Sequence, residues 1–440
     1  MTAAYVDEFK ELSRNGASAE PAWLRETRRA GIEKFAELGF PTPRNEDWHF
    51  TSVAPISESV FSPLRGSSGQ VERSALQPFT FSQNDWPLLV FVNGRYDAAL
   101  STPGALAKGV RATDLSSTLR NDPAIVEPWL GKLSPLDGRS FSALNAAFMS
   151  DGAVIHIAPD TEAPIPLHVI FLSDPNAAKG VAHLRNLIVA GRHSKATVIE
   201  SYVSLGDSHY FTNAVTEVKV DAGATLTHYK MQRESQRAFH VHTIDVQQAR
   251  DSHYVSFSFA TGAALSRTNI YTNLDGEGSG ATLNGLYMAD DEQHVDHQTN
   301  IVHAQPNCFS REIYKGILSG SAHGVFNGKV YVYPIAQKTD GKQTNNNLLL
   351  SERARIDTKP QLEIYADDVR CTHGATVGRL DEMALFYMKS RGVSADAATR
   401  LLTYAFAADV LETIEVEAVR KELERATLER FTGAAPVGHA

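Results

Sequence analysis

Apolar residues recur at helical spacing at both ends of the chain, while the long middle stretch shows short apolar runs broken by turn residues. Val6, Phe9 and Leu12, then Leu24, Ile32, Phe35 and Leu38, predict two short helices, the second stopped by Gly39, Pro41 and Pro43. In WPLLVFVNGRYD the pair Asn93-Gly94 stands between two extended runs, a strong hairpin signal. Helical patterns return around Pro123 to Leu130 and Ser140 to Phe148, so residues 1–150 read as a mixed helical and strand region.

From 151 to 379 the chain predicts short strands separated by Gly, Asp, Ser and Asn. Similar turn-then-strand pieces recur: GRHSKATVIE from Gly191, DAGATLTHYK from Asp221, RDSHYVSFSF from Arg250, GSGATLNGLY from Gly278 and SERARIDTKP from Ser351. Their starts lie about 28 residues apart except for one longer gap, a loose period that fits stacked coils. A β-solenoid accounts for both the repeat and the lack of helices, because each coil buries an inward row and stacks on its neighbours. A sandwich of two antiparallel sheets gives similarly spaced turns, so the pattern alone leaves both open.

Helical periodicity resumes at Leu380. Asp381 to Ser390 ends at Gly392, and Ser394 with Asp396 forms an N-cap and first turn for a longer helix. Leu401, Tyr404, Ala408 and Leu411 line one stripe of it, with Leu402 and Phe406 alongside. So wide a stripe predicts burial on more than one side. A tail helix near Glu415 to Phe431 completes a helical region at 380–440.

Charge and cysteine content narrow the function. Lys and Arg number 42 against 51 Asp and Glu, a net charge of -9 that argues against a nucleic-acid or anionic-membrane surface. The two cysteines, Cys308 and Cys371, are too few for a disulfide framework and fit a reducing compartment. Asp7, Glu8 and Glu11 suit neither a secretory signal nor a transit peptide, and no apolar run reaches membrane-spanning length, so a cytoplasmic protein is expected.

Candidate chemistry gathers in Thr344–Gly378, TNNNLLLSERARIDTKPQLEIYADDVRCTHGATVG. Cys371 and His373 are two apart, so on a strand they face one side and could meet one metal. The plainer reading is a buried thiol and a satisfied histidine. In QHVDHQTNIVH, strand alternation puts His297 and His303 on one face and His294 on the other, which weakens a three-histidine site and favours ordinary hydrogen-bonded roles. Asn345, Asn346 and Asn347 read as an asparagine ladder between coils. Asp367, Asp368 and Arg370 could form an acidic metal or sugar site, though such clusters are more often satisfied turns.

With FNGKVYV (Phe326 to Val332) and KTDG (Lys338 to Gly341) upstream, this string resembles the core signature of the SufB/SufD family of iron-sulfur cluster assembly proteins, closely over 281–415. NEDWHFTSV (Asn45 to Val53) resembles the N-terminal signature of its SufD branch. The SufB type carries a cysteine in the turn matching SERARID and a Glu after the histidine matching His373. Here Ala354 and Arg355 fill that turn and Gly374 follows His373, as in the SufD type.

The resemblance implies a mainly β fold, a right-handed parallel β-helix core between an N-terminal α/β region and a C-terminal helical domain. It implies pairing with a SufB-like paralogue through the β-helices, and docking of a SufC-like ABC-type ATPase on the C-terminal helices, where Leu401, Leu402, Phe406 and Leu411 are the candidates. A transient Fe-S cluster or iron would lie at the interface with the SufB-like partner, with none held by the isolated chain. His373 would be this chain's contribution and Cys371 a second ligand or a structural thiol. Whether the isolated chain is a homodimer stays open.

Residue types agree with this scaffold role rather than an enzymatic one. No GxxxxGK[ST] loop occurs, so ATP energy must come from another protein, and two cysteines without CxxC spacing cannot complete an ordinary cluster site. The competing class is a β-helix carbohydrate enzyme using Asp367, Asp368 and Arg370. Adjacent aspartates on a strand point to opposite faces and cannot flank one bond.

Overall fold

The computed structural model describes residues 2–16, 20–64, 71–104 and 106–430. Its centre is a flattened β-solenoid of about eight turns, in which successive strands alternate between two facing sheets. The front sheet runs from Ala153–Ile157 to Arg355–Ile364, and the back sheet from Leu88–Val92 to Arg370–Gly378. Along both runs every strand is parallel to the strand one coil earlier. The sandwich alternative is thereby excluded.

The sequence period is the coil. In the back sheet, Lys195 aligns with Thr225, then with His253, Gly280, Phe309, Asp340 and Arg370 in turn. Two residues before each of the first six stands a left-handed residue: His193, Gly223, Asp251, Gly278, Asn307 and Lys338. Its amide donates to a carbonyl of the next coil, His193 to Ala222 O at 2.9 Å and Lys338 to Asp368 O at 2.6 Å, for example. Residues that tolerate positive φ recur at this corner, which is why Gly, Asp and Asn punctuate the repeat. SERARIDTKP leads into the front sheet instead, which explains the one long gap.

Both outer faces are covered. On the front sheet, Phe211, Phe239, Val241 and Leu265 pack under Val53, Ile56, Phe61 and Phe141 of the N-terminal region. A buried pair, Arg185 and Glu217 (2.6 Å), ties that region down, because Glu217 also accepts from the amides of Gly131 and Leu133 at 2.8 Å. On the back sheet, Tyr229, Met231, Phe257, Phe259, Leu286 and Met288 pack against Val410 and Leu411 of helix Ala395–Leu411, Val419 and Leu423 of helix Glu417–Arg430, and Ile414 in the turn between them.

The interior between the sheets is apolar in some columns and polar in others. Glu200, His228, Lys230 and His242 are all buried inside it, with Lys230 Nζ donating to Thr268 Oγ1 at 2.8 Å and Glu200 accepting from Tyr202 and Thr216 at 2.9 Å. The expected asparagine ladder does not form. Asn345 and Asn347 point inward and bond each other at 2.7 Å, while Asn346 faces out and accepts from Thr376 at 2.8 Å. Their column neighbours in the next coils are Tyr314 and Ala375 for Asn345, and Gly316 and Val377 for Asn347. An asparagine ladder needs the same residue in successive coils.

The two ends differ. At the N-terminal end short antiparallel strands close both sheets: Arg95–Tyr96, across the Asn93-Gly94 turn, on Leu88–Val92, and Val110–Asp114 on Ala153–Ile157. At the C-terminal end Arg355–Ile364 and Arg370–Gly378 each pair on one side alone among the described residues. The predicted helices form as Thr2–Gly16, Ala22–Leu38, Ser140–Phe148, Glu382–Ser390, Ala395–Leu411 and Glu417–Arg430, while Pro123–Ile125 is a single 3-10 turn. Phe431 lies outside the described residues.

Candidate functional site

Cys371 and His373 lie on the terminal back-sheet strand, in register with Gly341 and Gln343. Those positions face the interior, so the pair leans over the open mouth of the solenoid. Alternation brings them to one face, as the spacing predicts. Their environments differ. Cys371 is half-buried against Val330, Val332, Ala336 and Ala366, and burial pushes its thiol pKa up, which favours the neutral form. His373 is exposed at the rim, and its side chain makes no hydrogen bond among the described residues.

One coil deeper, Gln343 Nε2 donates to Glu312 Oε2 at 2.5 Å, and Glu312 is 1 % exposed. Burial raises the Glu312 carboxyl to about 7, so it holds its proton through most of the acidic range. Gly328, in the FNGK motif, is what admits this arrangement: a Cβ there would stand 2.0 Å from Gln343 Nε2. His373 thus caps an inward column whose next two members are Gln343 and Glu312.

The other candidates take plainer roles. His297 stacks on Tyr287 at 5.1 Å, His303 Nε2 lies 3.0 Å from Ser310 Oγ, and burial drives their pKa values down to about 3 and about 4. His294 lies on the opposite face, 2.8 Å from Thr51 Oγ1. Cys308 is buried, with Sγ 3.4 Å from Gly276 O. Asp368 pairs with Lys338 in a surface turn, beside an exposed Asp367. They do not flank a groove as the carbohydrate reading requires. Among the described residues, no group of three His, Cys, Asp or Glu is arranged to hold a metal.

The docking candidates on Ala395–Leu411 divide. Leu401 is 48 % exposed and Leu402 is partly exposed. Phe406 is half-buried on the solenoid, its ring under Lys315 Nζ at 4.6 Å and its carbonyl accepting from that amine at 2.6 Å. Leu411 is completely buried in the back-sheet core, so it cannot meet a partner without unpacking the helix. A stripe this wide serves the solenoid first. The sequence reading missed Met383, Phe386 and Tyr387 on Glu382–Ser390, exposed by 73, 67 and 59 %. Helix propensity found the helix, but a helix with no buried residue gives no amphipathic contrast to point out which face is free.

Asn45–Val53 straps the N-terminal region across the front sheet toward its open end. Arg267 lies 3.7 Å under the Trp48 ring, pairs with buried Asp296 at 2.7 Å, and donates to Asp47 O at 2.6 Å. Thr51 Oγ1 donates to the same Asp296 at 2.6 Å, and Glu46 meets Lys359 of the last front strand at 3.0 Å.

Comparison with known proteins agrees with this architecture along the chain. Residues 171–406 match the SUF system FeS cluster assembly, SufBD core domain, and residues 1–169 match the SufBD protein N-terminal region. The iron-sulfur cluster assembly protein SufD of Escherichia coli is 34% identical over 92% of both chains. SufD of Bacillus subtilis is 29% identical over 95% of both, and a SufBD family protein of Synechocystis is 30% identical over 93% of this chain and 91% of its own. A chain matched over residues 1–169 and 171–406 in this way, with a parallel solenoid between an N-terminal cover and C-terminal helices, belongs to the SufBD family of iron-sulfur cluster assembly proteins and is SufD-like within it.

Proposed function

We propose that this chain is the SufD-like arm of a scaffold on which a SufB-like paralogue and a SufC-like ABC-type ATPase build and hand on nascent Fe-S clusters, with His373 as its contribution to the cluster. The observation that carries this reading is the position of His373: exposed, inward-facing and on the last strand of an open-ended solenoid. Two unpaired edges of ten and nine residues offer amides and carbonyls to a second solenoid, one edge from each sheet. A paralogue abutting there would extend both sheets and enclose His373 at the seam.

A neutral imidazole binds iron more weakly than a thiolate, which suits a cargo that must leave. Cys371 sits beside it as a protonated, half-buried thiol, so it joins the ligand set only after its apolar cover shifts. ATP-driven dimerisation of the ATPase, docked on Met383, Phe386, Tyr387 and Leu401, supplies such a shift in this scheme.

The test is reconstitution. The chain is co-expressed with its host's SufB-like and SufC-like proteins, and the purified complex is treated with iron and sulfide. His373→Ala is expected to leave the complex intact and remove most of the visible absorption of the cluster. Unchanged absorption would leave this chain a structural arm.

A further inference from the structure

A cavity of about 590 Å³ lies away from the open end, between helices Thr2–Gly16 and Ala22–Leu38, the Asn93-Gly94 hairpin, helix Leu115–Asn121 and the outer face of strand Gly180–Ala190. That volume is within the usual range for small-molecule sites. Its apolar lining includes Phe9, Leu24, Leu119 and Phe148. Its charge is opposite to that of the chain: Arg25, Arg28, Arg29, Arg95 and Arg120 line it against Glu8 and Glu20. Arg28 is neutralised by a bidentate pair with Glu20 at 3.0 Å. Arg95 and Arg120 meet no carboxylate among the described residues and donate instead to neutral oxygens, Ser150 O at 3.2 Å and Ser116 Oγ at 2.6 Å.

Two buried donors on residues that line this cavity lack acceptors among the described residues. His183 is 2 % exposed and its ring stacks on Phe148 at 5.5 Å. Asn213 Nδ2, which also donates to Phe141 O at 3.0 Å, lies 3.2 Å from His183 Nδ1 and donates to it. That bond assigns the ring proton to Nε2, where it meets no partner among the described residues. Burial holds the imidazole neutral, down to about 3. Arg95 Nε is the second orphan. Both cluster around Ser150, whose carbonyl accepts from Arg95 and whose amide donates to His183 O at 3.1 Å. Asp151, the carboxylate that follows Ser150 in the chain, is already occupied by the amides of Tyr96, Ser116 and Gly152. Buried donors are rarely left unmatched, and here they occur together beside unneutralised guanidinium groups and an apolar wall.

We propose that this cavity binds an amphipathic organic anion, its anionic head taken by His183, Arg95 and Arg120 and its apolar body lying on Phe9, Leu24, Leu119 and Phe148. The site is independent of the cluster role of His373.

Titration calorimetry of the full chain with dodecyl phosphate below its micelle concentration tests this, with dodecanol and inorganic phosphate as the two halves of the ligand. Dodecyl phosphate is expected to bind one per chain, at least tenfold tighter than either half. Arg120→Gln, at an exposed side chain, is expected to weaken it severalfold, and Arg95→Gln with Arg120→Gln by tenfold or more, with melting of the free chain unchanged for the single variant. Equal binding of dodecanol would make this a plain apolar hollow. No binding, or binding indifferent to both arginines, would overturn the proposal.

Discussion

Glu312 is the residue whose protonation couples the interior to the open end. Its folded pKa, about 7, lies above the 4.5 of an ordinary glutamate, so its carboxyl stabilises the fold fully below pH 4.5 and loses that contribution as pH rises through 7. A shift of that size corresponds to roughly 3 kcal/mol. Glu312→Gln keeps an oxygen for Gln343 and removes the ionisation. Urea unfolding at pH 5 and pH 8 is expected to show the variant losing less stability over that interval than the parent, and equal slopes would refute the assigned burial cost. None of this was legible in the sequence, where Glu312 stands in SREIYKG without any pattern to distinguish it. Cys371 and His373 were legible because two-residue spacing on a strand has one geometric meaning. Their unequal burial was not, since it depends on which coil is last.

Among elements, the C-terminal helices divide the work between holding and offering. Val410, Leu411, Val419 and Leu423 hold the back sheet, whereas Met383, Phe386 and Tyr387 are presented to solvent on the preceding helix. Phe386→Asp is therefore expected to abolish capture of the ATPase in a pull-down without lowering the melting temperature. Leu411→Ala, by contrast, is expected to cost about 2–5 kcal/mol of stability while leaving the exposed face in place. Retained capture by Phe386→Asp would move the docking surface elsewhere. The coils announced themselves through their corners, because a left-handed residue stands two places before six successive back-sheet strands and at four of them is Gly, Asp or Asn. Two early strands did not. Gly180–Ala190 and Leu167–Ser173 are buried along their whole length, so both faces lose the polar-apolar alternation on which strand reading relies.

At the scale of the whole molecule, joining to a second solenoid should depend on the two terminal strands. Val377, 49 % exposed and inward-facing on the last strand, sits where a second solenoid would close over the mouth. Val377→Asp is expected to leave thermal melting unchanged and to prevent association with the SufB-like protein, read by light scattering of the mixed proteins. Association at the parental level would rule out end-to-end joining. The sequence resemblance implies a pairing of solenoids, but which end is free could not be read from it, because that turns on two short antiparallel strands, one of them only Arg95–Tyr96. Those strands have a wider consequence. A solenoid open at both ends would add copies without limit, as fibres do. With one end blunted, a single join would consume the available edge and growth would halt at a pair, so under end-to-end joining the fold itself would limit the size of the assembly.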